Sequence, residues 1–264
     1  MSAYQHLKIA RDMPIKRSVT VILNRPEVHN AFDAVLIHEL IDCFRELGKD
    51  PLPRVVVLTG SGRSFCAGAD LNWMRETVDY SKEENLADAE QLAQMFATLN
   101  TCPKPVVARI NGAAIGGGSG LVAASDIAVA VEYAKFGFGE VKVGIIPSVI
   151  SPYVLPKIGV SQARELFLTG ARIDAQRAKE IGLIHHVVAS EELDQKVQEI
   201  VGQLLSSGPQ AIAECKRLLR IMESLDPRGA RSFTTQKIAE VRATPEARDG
   251  LTAFLEKHEP PWMK

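Results

Sequence analysis

The chain has 264 residues, room for one large domain or two small ones, with 46% apolar and 24% charged residues, the balance of an ordinary soluble globular protein. Its formal net charge of -1 gives no electrostatic ground for nucleic acid or an acidic membrane as a general partner. The four cysteines, Cys43, Cys66, Cys102 and Cys215, follow no zinc spacing and no CxxC, which predicts free thiols in a reducing compartment and no metal centre.

The first residues, MSAYQHLKIARDM, have neither the apolar core of a signal peptide nor the Arg- and Ser-rich character of a transit peptide. No apolar run approaches the roughly 18 residues of a membrane span. A cytoplasmic protein is expected; a matrix protein shorn of its presequence stays open.

Along the chain, Ser18–Leu23 is rich in β-branched residues and precedes Arg25–Pro26, a strand followed by a turn. Asp33 reads as an N-cap, and Leu36, Leu40, Phe44 and Leu47 repeat at helical spacing up to Gly48. The run 54–59 is almost continuously apolar, as in a strand buried on both faces. An amphipathic helix over 85–99 follows, then buried strands over 106–110 and 126–130. This rhythm predicts an α/β core with mostly parallel strands. From about Pro152 the pattern turns helical: 160–168, 175–181, 193–205, 209–222, 229–241 and 245–257, with Pro209 and Pro245 as first-turn prolines. The simplest division is a core over 1–200 and a helical region over 201–264.

Three segments rich in small residues stand out: SFCAGADL from Ser64, NGAAIGGGSGL from Asn111 and KFGFGEVKVGII from Lys135. No GxGxxG occurs; a relaxed GxGxxA fits from Gly118, a weak match. The only Gly-Lys pair, Gly48–Lys49, lacks the Ser or Thr of a P-loop. Small residues do let a ligand approach bare backbone N–H groups, and Gly116–Gly118 precede a helical stretch whose dipole favours negative charge. Two such donors aimed at one point make an oxyanion hole, suited to a thioester carbonyl becoming an enolate. Close packing of helix on strand is the alternative role for these glycines.

The three segments, in their order and spacing, resemble the signatures of the crotonase (enoyl-CoA hydratase/isomerase) superfamily. The likeness continues through LTGARIDAQRAKEIGLIHHVV to the last helix. The resemblance implies a crotonase-like ββα spiral core with a helical C-terminal trimerisation region, and a homotrimer or homohexamer. It implies an acyl-CoA thioester as substrate, so that coenzyme A belongs to the substrate and no separate cofactor is needed. By position, the oxyanion N–H groups fall to Ala69 and Gly117. Of the family's two acid/base positions, Glu140 is kept and the other is Gly120.

With Gly120 in place of a carboxylate, Glu140 is left as the family-position base, and the absence of a side chain predicts room for a larger, branched or carboxylated acyl group. An apolar thioester pocket should raise the Glu140 pKa toward working pH. The resemblance also places coenzyme A along His29, Ala31, Ala67, Asp70 and Leu71, mostly through backbone groups. It places Phe254 and Lys257 at the phosphate and adenine, often of a neighbouring subunit, and Trp73 and Met74 at the acyl pocket. Cys66 reads as a small filler.

ADLNWMR, GGGSGL and IIPSVISPYV look most like the subgroup hydrating glutaconyl-type esters such as 3-methylglutaconyl-CoA. Ser148, Ser151 and Tyr153 stand where polar contacts to a distal carboxylate or to water are expected. A hydratase leads this reading. An isomerase, which needs one base, and a non-catalytic acyl-CoA binder are the alternatives.

Overall fold

The computed structural model describes residues 4–222 and 225–263. In chain order the strands and helices are β1 (Leu7–Arg11), β2 (Ser18–Leu23), α1 (Ala34–Lys49), β3 (Val55–Gly60), β4 (Ser64–Cys66), α2 (Leu71–Thr77), α3 (Lys82–Thr101), β5 (Val106–Ile110), β6 (Ala113–Ile115), α4 (Gly117–Ala124), β7 (Ile127–Val131) and β8 (Lys135–Gly137). Then follow α5 (Ser151–Thr169), β9 (Arg172–Asp174), α6 (Ala175–Glu180), β10 (His186–Val188), α7 (Leu193–Leu205), α8 (Pro209–Met222), α9 (Pro227–Arg242) and α10 (Pro245–Glu256).

A larger sheet runs β1-β2-β3-β5-β7-β10. Only its β1–β2 pair is antiparallel. Every residue of β3 is buried, as its unbroken apolar run requires for a strand covered on both faces. A smaller sheet runs β4-β6-β8-β9, parallel through β4, β6 and β8. The chain thus alternates: one strand in the larger sheet, a short one in the smaller, then helix. This is the mixed α/β, ββα spiral expected of the crotonase likeness.

Helix ends follow local chemistry. The Asp33 carboxylate accepts the Leu36 N–H at 2.8 Å and starts α1. The helix passes one residue beyond Gly48, which lies so close to Pro103 that a Cβ there would stand 3.3 Å from its ring. Helix α3 begins earlier than its periodicity suggests because Ser81 and Glu84 form a capping box. Helix α5 breaks at Gly159, whose φ of 71° is non-helical, which is why the helical pattern restarts at Val160.

The three small-residue segments contain the strands β4, β6 and β8. Three residues are too few for a periodic signal, yet these strands lay the segments side by side. The boundary expected after residue 200 falls inside α7, whose Val197, Ile200 and Val201 are buried; the helical remainder starts with α8. Lys216 of α8 ties it to the core, its Nζ 2.6 Å from Asp126 Oδ2 and 2.8 Å from the Lys104 carbonyl. No described helix is long and apolar enough to cross a membrane.

Candidate active site

Ala69, Gly117 and Glu140 lie two or three residues beyond the C-terminal ends of β4, β6 and β8. The strands are parallel neighbours, so the three residues emerge at one edge of one sheet, the edge where ligands bind in open α/β sheets.

At Ala69 the peptide plane is set from behind. The Gly68 carbonyl accepts the Phe32 N–H at 2.6 Å. In a planar trans peptide this turns the Ala69 N–H to the opposite side. Gly68 has φ of 90°, and a Cβ there would stand 2.8 Å from the Ile115 carbonyl oxygen and 3.5 Å from the Gly117 nitrogen. Only glycine permits this approach, and it brings the two donor loops together. At Gly117 the helix α4 begins. The Gly116 carbonyl accepts the Gly120 N–H at 3.0 Å, so the Gly117 N–H faces out of the first turn at the positive end of the helix.

Glu140 opens a short 3-10 turn, Glu140–Val143. Its Oε1 lies 3.3 Å from where a Cβ on Gly116 would be. Its Oε2 is buried and has no hydrogen-bond partner. Burial therefore pushes its pKa above the ordinary carboxylate value. A half-buried carboxyl with an unpartnered oxygen, set against the Gly116–Gly117 turn, can accept a proton from a bound molecule and give it back.

Gly120 corrects the sequence reading. The space its missing side chain would take is filled: a Cβ there would meet Ile150 Cγ2 at 2.4 Å and the Phe96 ring at 2.9 and 3.0 Å. No room for a larger acyl group opens at this point. Phe32 lies likewise under Gly117, and Phe32, Phe96 and Tyr153 form an aromatic row with centroid separations of 6.3 and 6.0 Å.

The expected coenzyme A residues divide. His29 has φ of 55°, its Nδ1 is 2.9 Å from Ser64 Oγ, and its carbonyl accepts the Ala67 N–H. The Ala31 carbonyl accepts from Arg25. The Asp70 N–H goes to the Phe32 carbonyl. The His29 and Phe32 carbonyls thus pair the 29–33 and 67–70 loops with each other. The Asp70 side chain is not offered to a ligand, because it caps α2 at Asn72 and binds Arg25. Burial opposes its charge, but the Asn72 N–H and Arg25 hold its pKa below the ordinary value. Leu71 is exposed and Met74 half-buried, whereas Trp73 packs into the hydrophobic core. Phe254 is exposed and Lys257 caps α10; that helix packs chiefly on α8 and α9, which carry no other expected site residue. Cys66 is fully buried, its thiol pushed up to about 12, as a filler should be.

Sequence reading missed Arg25, Phe32, Phe96 and Ile150. Arg25 was legible only as a turn residue. Phe96 on α3 and Ile150 before α5 meet Gly120 across long stretches of chain that no local pattern connects.

Comparison with known proteins shows the family. The family model described as "Enoyl-CoA hydratase/isomerase" matches residues 15–264. The chain belongs to this family. An enoyl-CoA hydratase structure from Shewanella pealeana superposes with a TM-score of 0.93 at 39% identity, over 98% of this chain and 96% of that one. A crotonyl-CoA hydratase of Syntrophomonas wolfei is 33% identical over 97% of this chain and 96% of its own length. An enoyl-CoA isomerase/hydratase of Mycosarcoma maydis is 33% identical over 91% and 90%. The protein is an enzyme of the enoyl-CoA hydratase/isomerase type.

Proposed function

We propose that this protein adds water across the double bond of a 2-enoyl-CoA, with Glu140 as its acid/base carboxylate. The observation that carries the reading is the unpartnered, buried Oε2 of Glu140, whose carboxylate lies against the Gly116–Gly117 turn. The thioester oxygen accepts the N–H groups of Ala69 and Gly117. As water oxygen bonds to C3, the π electrons move onto the thioester oxygen and an enolate forms. Glu140 takes the water proton and delivers it to C2 as the enolate collapses. The carboxylate is regenerated, and the balance is one water added. Each oxyanion donor of this kind lowers the barrier by about 3–4 kcal/mol.

Coenzyme A is part of the substrate in this reading and no other cofactor is required. The acyl group is branched or carboxylated, of the 3-methylglutaconyl type. Support for this comes from the ADLNWMR and IIPSVISPYV segments and from Tyr153, half-buried against Phe96, with Ser148 exposed nearby in sequence. Ser151 Oγ donates to the Ser148 carbonyl at 2.7 Å and keeps lone pairs to accept. If Tyr153→Phe and Ser151→Ala leave turnover and affinity unchanged, these contacts are wrong. The nucleotide lies along the His29, Ala31 and Ala67 edge, completed by Phe254 and Lys257 of a neighbouring copy in a cytoplasmic trimer or hexamer built through the helical C-terminal part.

The test is a turnover screen with crotonyl-CoA, 3-methylglutaconyl-CoA and a 3-enoyl-CoA. Loss of conjugated enoyl-thioester absorbance with a hydroxyacyl product supports hydration and ranks the acyl groups. Gain of that absorbance from the 3-enoyl-CoA alone would replace hydration by isomerisation.

A further inference from the structure

The Ala69 N–H belongs to a pairing of two loops that one guanidinium spans. Arg25 Nη2 lies 2.9 Å from Asp70 Oδ2 and 3.1 Å from Asp33 Oδ2, and Nη1 donates to the Ala31 carbonyl at 2.6 Å. Asp33 starts α1, and Asp70 directly follows Ala69 and starts α2. His6 Nε2 is 3.2 Å from the same Asp33 oxygen. Between these ions run three backbone bonds: Ala67 N–H to His29 carbonyl at 3.0 Å, Phe32 N–H to Gly68 carbonyl at 2.6 Å, and Asp70 N–H to Phe32 carbonyl at 2.8 Å. The middle one fixes the peptide that carries the Ala69 N–H.

We infer that Arg25 is a positioning residue for the oxyanion hole, clasping the 29–33 loop to the 67–70 loop so that the Ala69 N–H points at the thioester oxygen. The side chains of Arg25 and Asp70 are 13% and 5% exposed. Ion pairs this buried add little net stability but leave a costly unpaired charge when one member is lost. What the clasp secures is direction. Without the guanidinium, two carboxylates that share one nitrogen repel each other, the loops part, and the Gly68–Ala69 peptide is free to turn. Arg25 acts through the loops and not by touching substrate.

The inference rests on the proposed thioester chemistry, and the experiment separates the two. Cinnamoyl-CoA, a conjugated thioester, absorbs at longer wavelength when its carbonyl is polarised by hydrogen bonds. It is bound to wild type and to Arg25→Met, Arg25→Lys and Asp70→Asn, and kcat and KM are measured with the substrate found by the turnover screen. Asn at 70 still accepts the Asn72 N–H and keeps the α2 cap, but no longer attracts Arg25. The expected result is a red shift in wild type that is largely lost in Arg25→Met and Asp70→Asn. With it kcat falls about 10²-fold, the scale of one lost oxyanion donor, KM stays within about threefold, and Arg25→Lys recovers part of both. If Arg25→Met does not fold, Asp70→Asn and Arg25→Lys carry the same comparison. An undiminished red shift and kcat in the variants, with wild type shifted, overturns the clasp alone. No red shift in wild type overturns the thioester reading itself.

Discussion

Glu140 combines burial with an empty acceptor position, and the two together set how it should titrate. Desolvation disfavours the charged form, so its pKa is raised. Catalysis as a base needs the carboxylate, which is populated above that pKa. Activity should therefore rise with pH through an acid limb lying above the ordinary carboxylate range, and log kcat/KM against pH checks this. The stability sign is opposite. A carboxyl whose folded pKa is raised costs the fold stability once pH exceeds its unfolded value, and the cost fades as pH falls. Glu140→Gln should thus bind acyl-CoA, melt no lower than wild type, and lose about 10²–10⁴ in kcat. Gly120 gives a second residue-scale prediction. Gly120→Ala forces a methyl group against Ile150 and Phe96 and should cost about 1–3 kcal/mol in chemical denaturation. Gly120→Glu should not create a second working base unless Phe96 or Ile150 is also cut back. The carboxylate was legible in the sequence because its motif is local. The plug at Gly120 was not, because a missing side chain says nothing about what distant helices put in its place.

At the scale of elements, the short sheet β4-β6-β8 organises the chemistry, and it was the part least visible beforehand. Long strands and helices announced themselves through periodicity: α7 and α8 were bounded as the structure has them, and β3 by its apolar run. Three-residue strands carry no such signal, and the small residues that follow them drew the eye instead. The contact between the β4 and β6 exits depends on Gly68. With φ of 90° and an Ile115 oxygen 2.8 Å from any Cβ, Gly68→Ala should drive the exits apart. Turnover should fall about 10²–10³-fold, as for loss of one oxyanion donor, while circular dichroism keeps the native helix content. An unchanged kcat would show that the donors do not need this approach.

For the whole molecule, α8, α9 and α10 leave Leu219, Ile238, Leu251, Phe254 and Leu255 at least half exposed. The proposed trimer would cover side chains of this kind. Phe254→Asp should shift the sedimentation profile toward single chains; a wild type that already sediments as a single chain would refute the assembly. The same helices are tied to the core through Lys216. Lys216→Met, which leaves Asp126 without that partner, should lower stability by about 1–3 kcal/mol and loosen the C-terminal helices to limited proteolysis. Composition and charge bounded the class of molecule, and the helical second half was readable, but which faces meet in an assembly is written in surfaces that sequence periodicity does not order.

In the proposed reaction Glu140 moves one proton from water to C2 while the water oxygen bonds to C3. Turnover of the enoyl-CoA selected by the screen, in water enriched in both deuterium and oxygen-18, tests it most directly. The expected product carries one oxygen-18 at C3 and one deuterium at C2, formed by wild type and not by Glu140→Gln. Deuterium at carbon without oxygen-18, or labelling by Glu140→Gln at the wild-type rate, would contradict it.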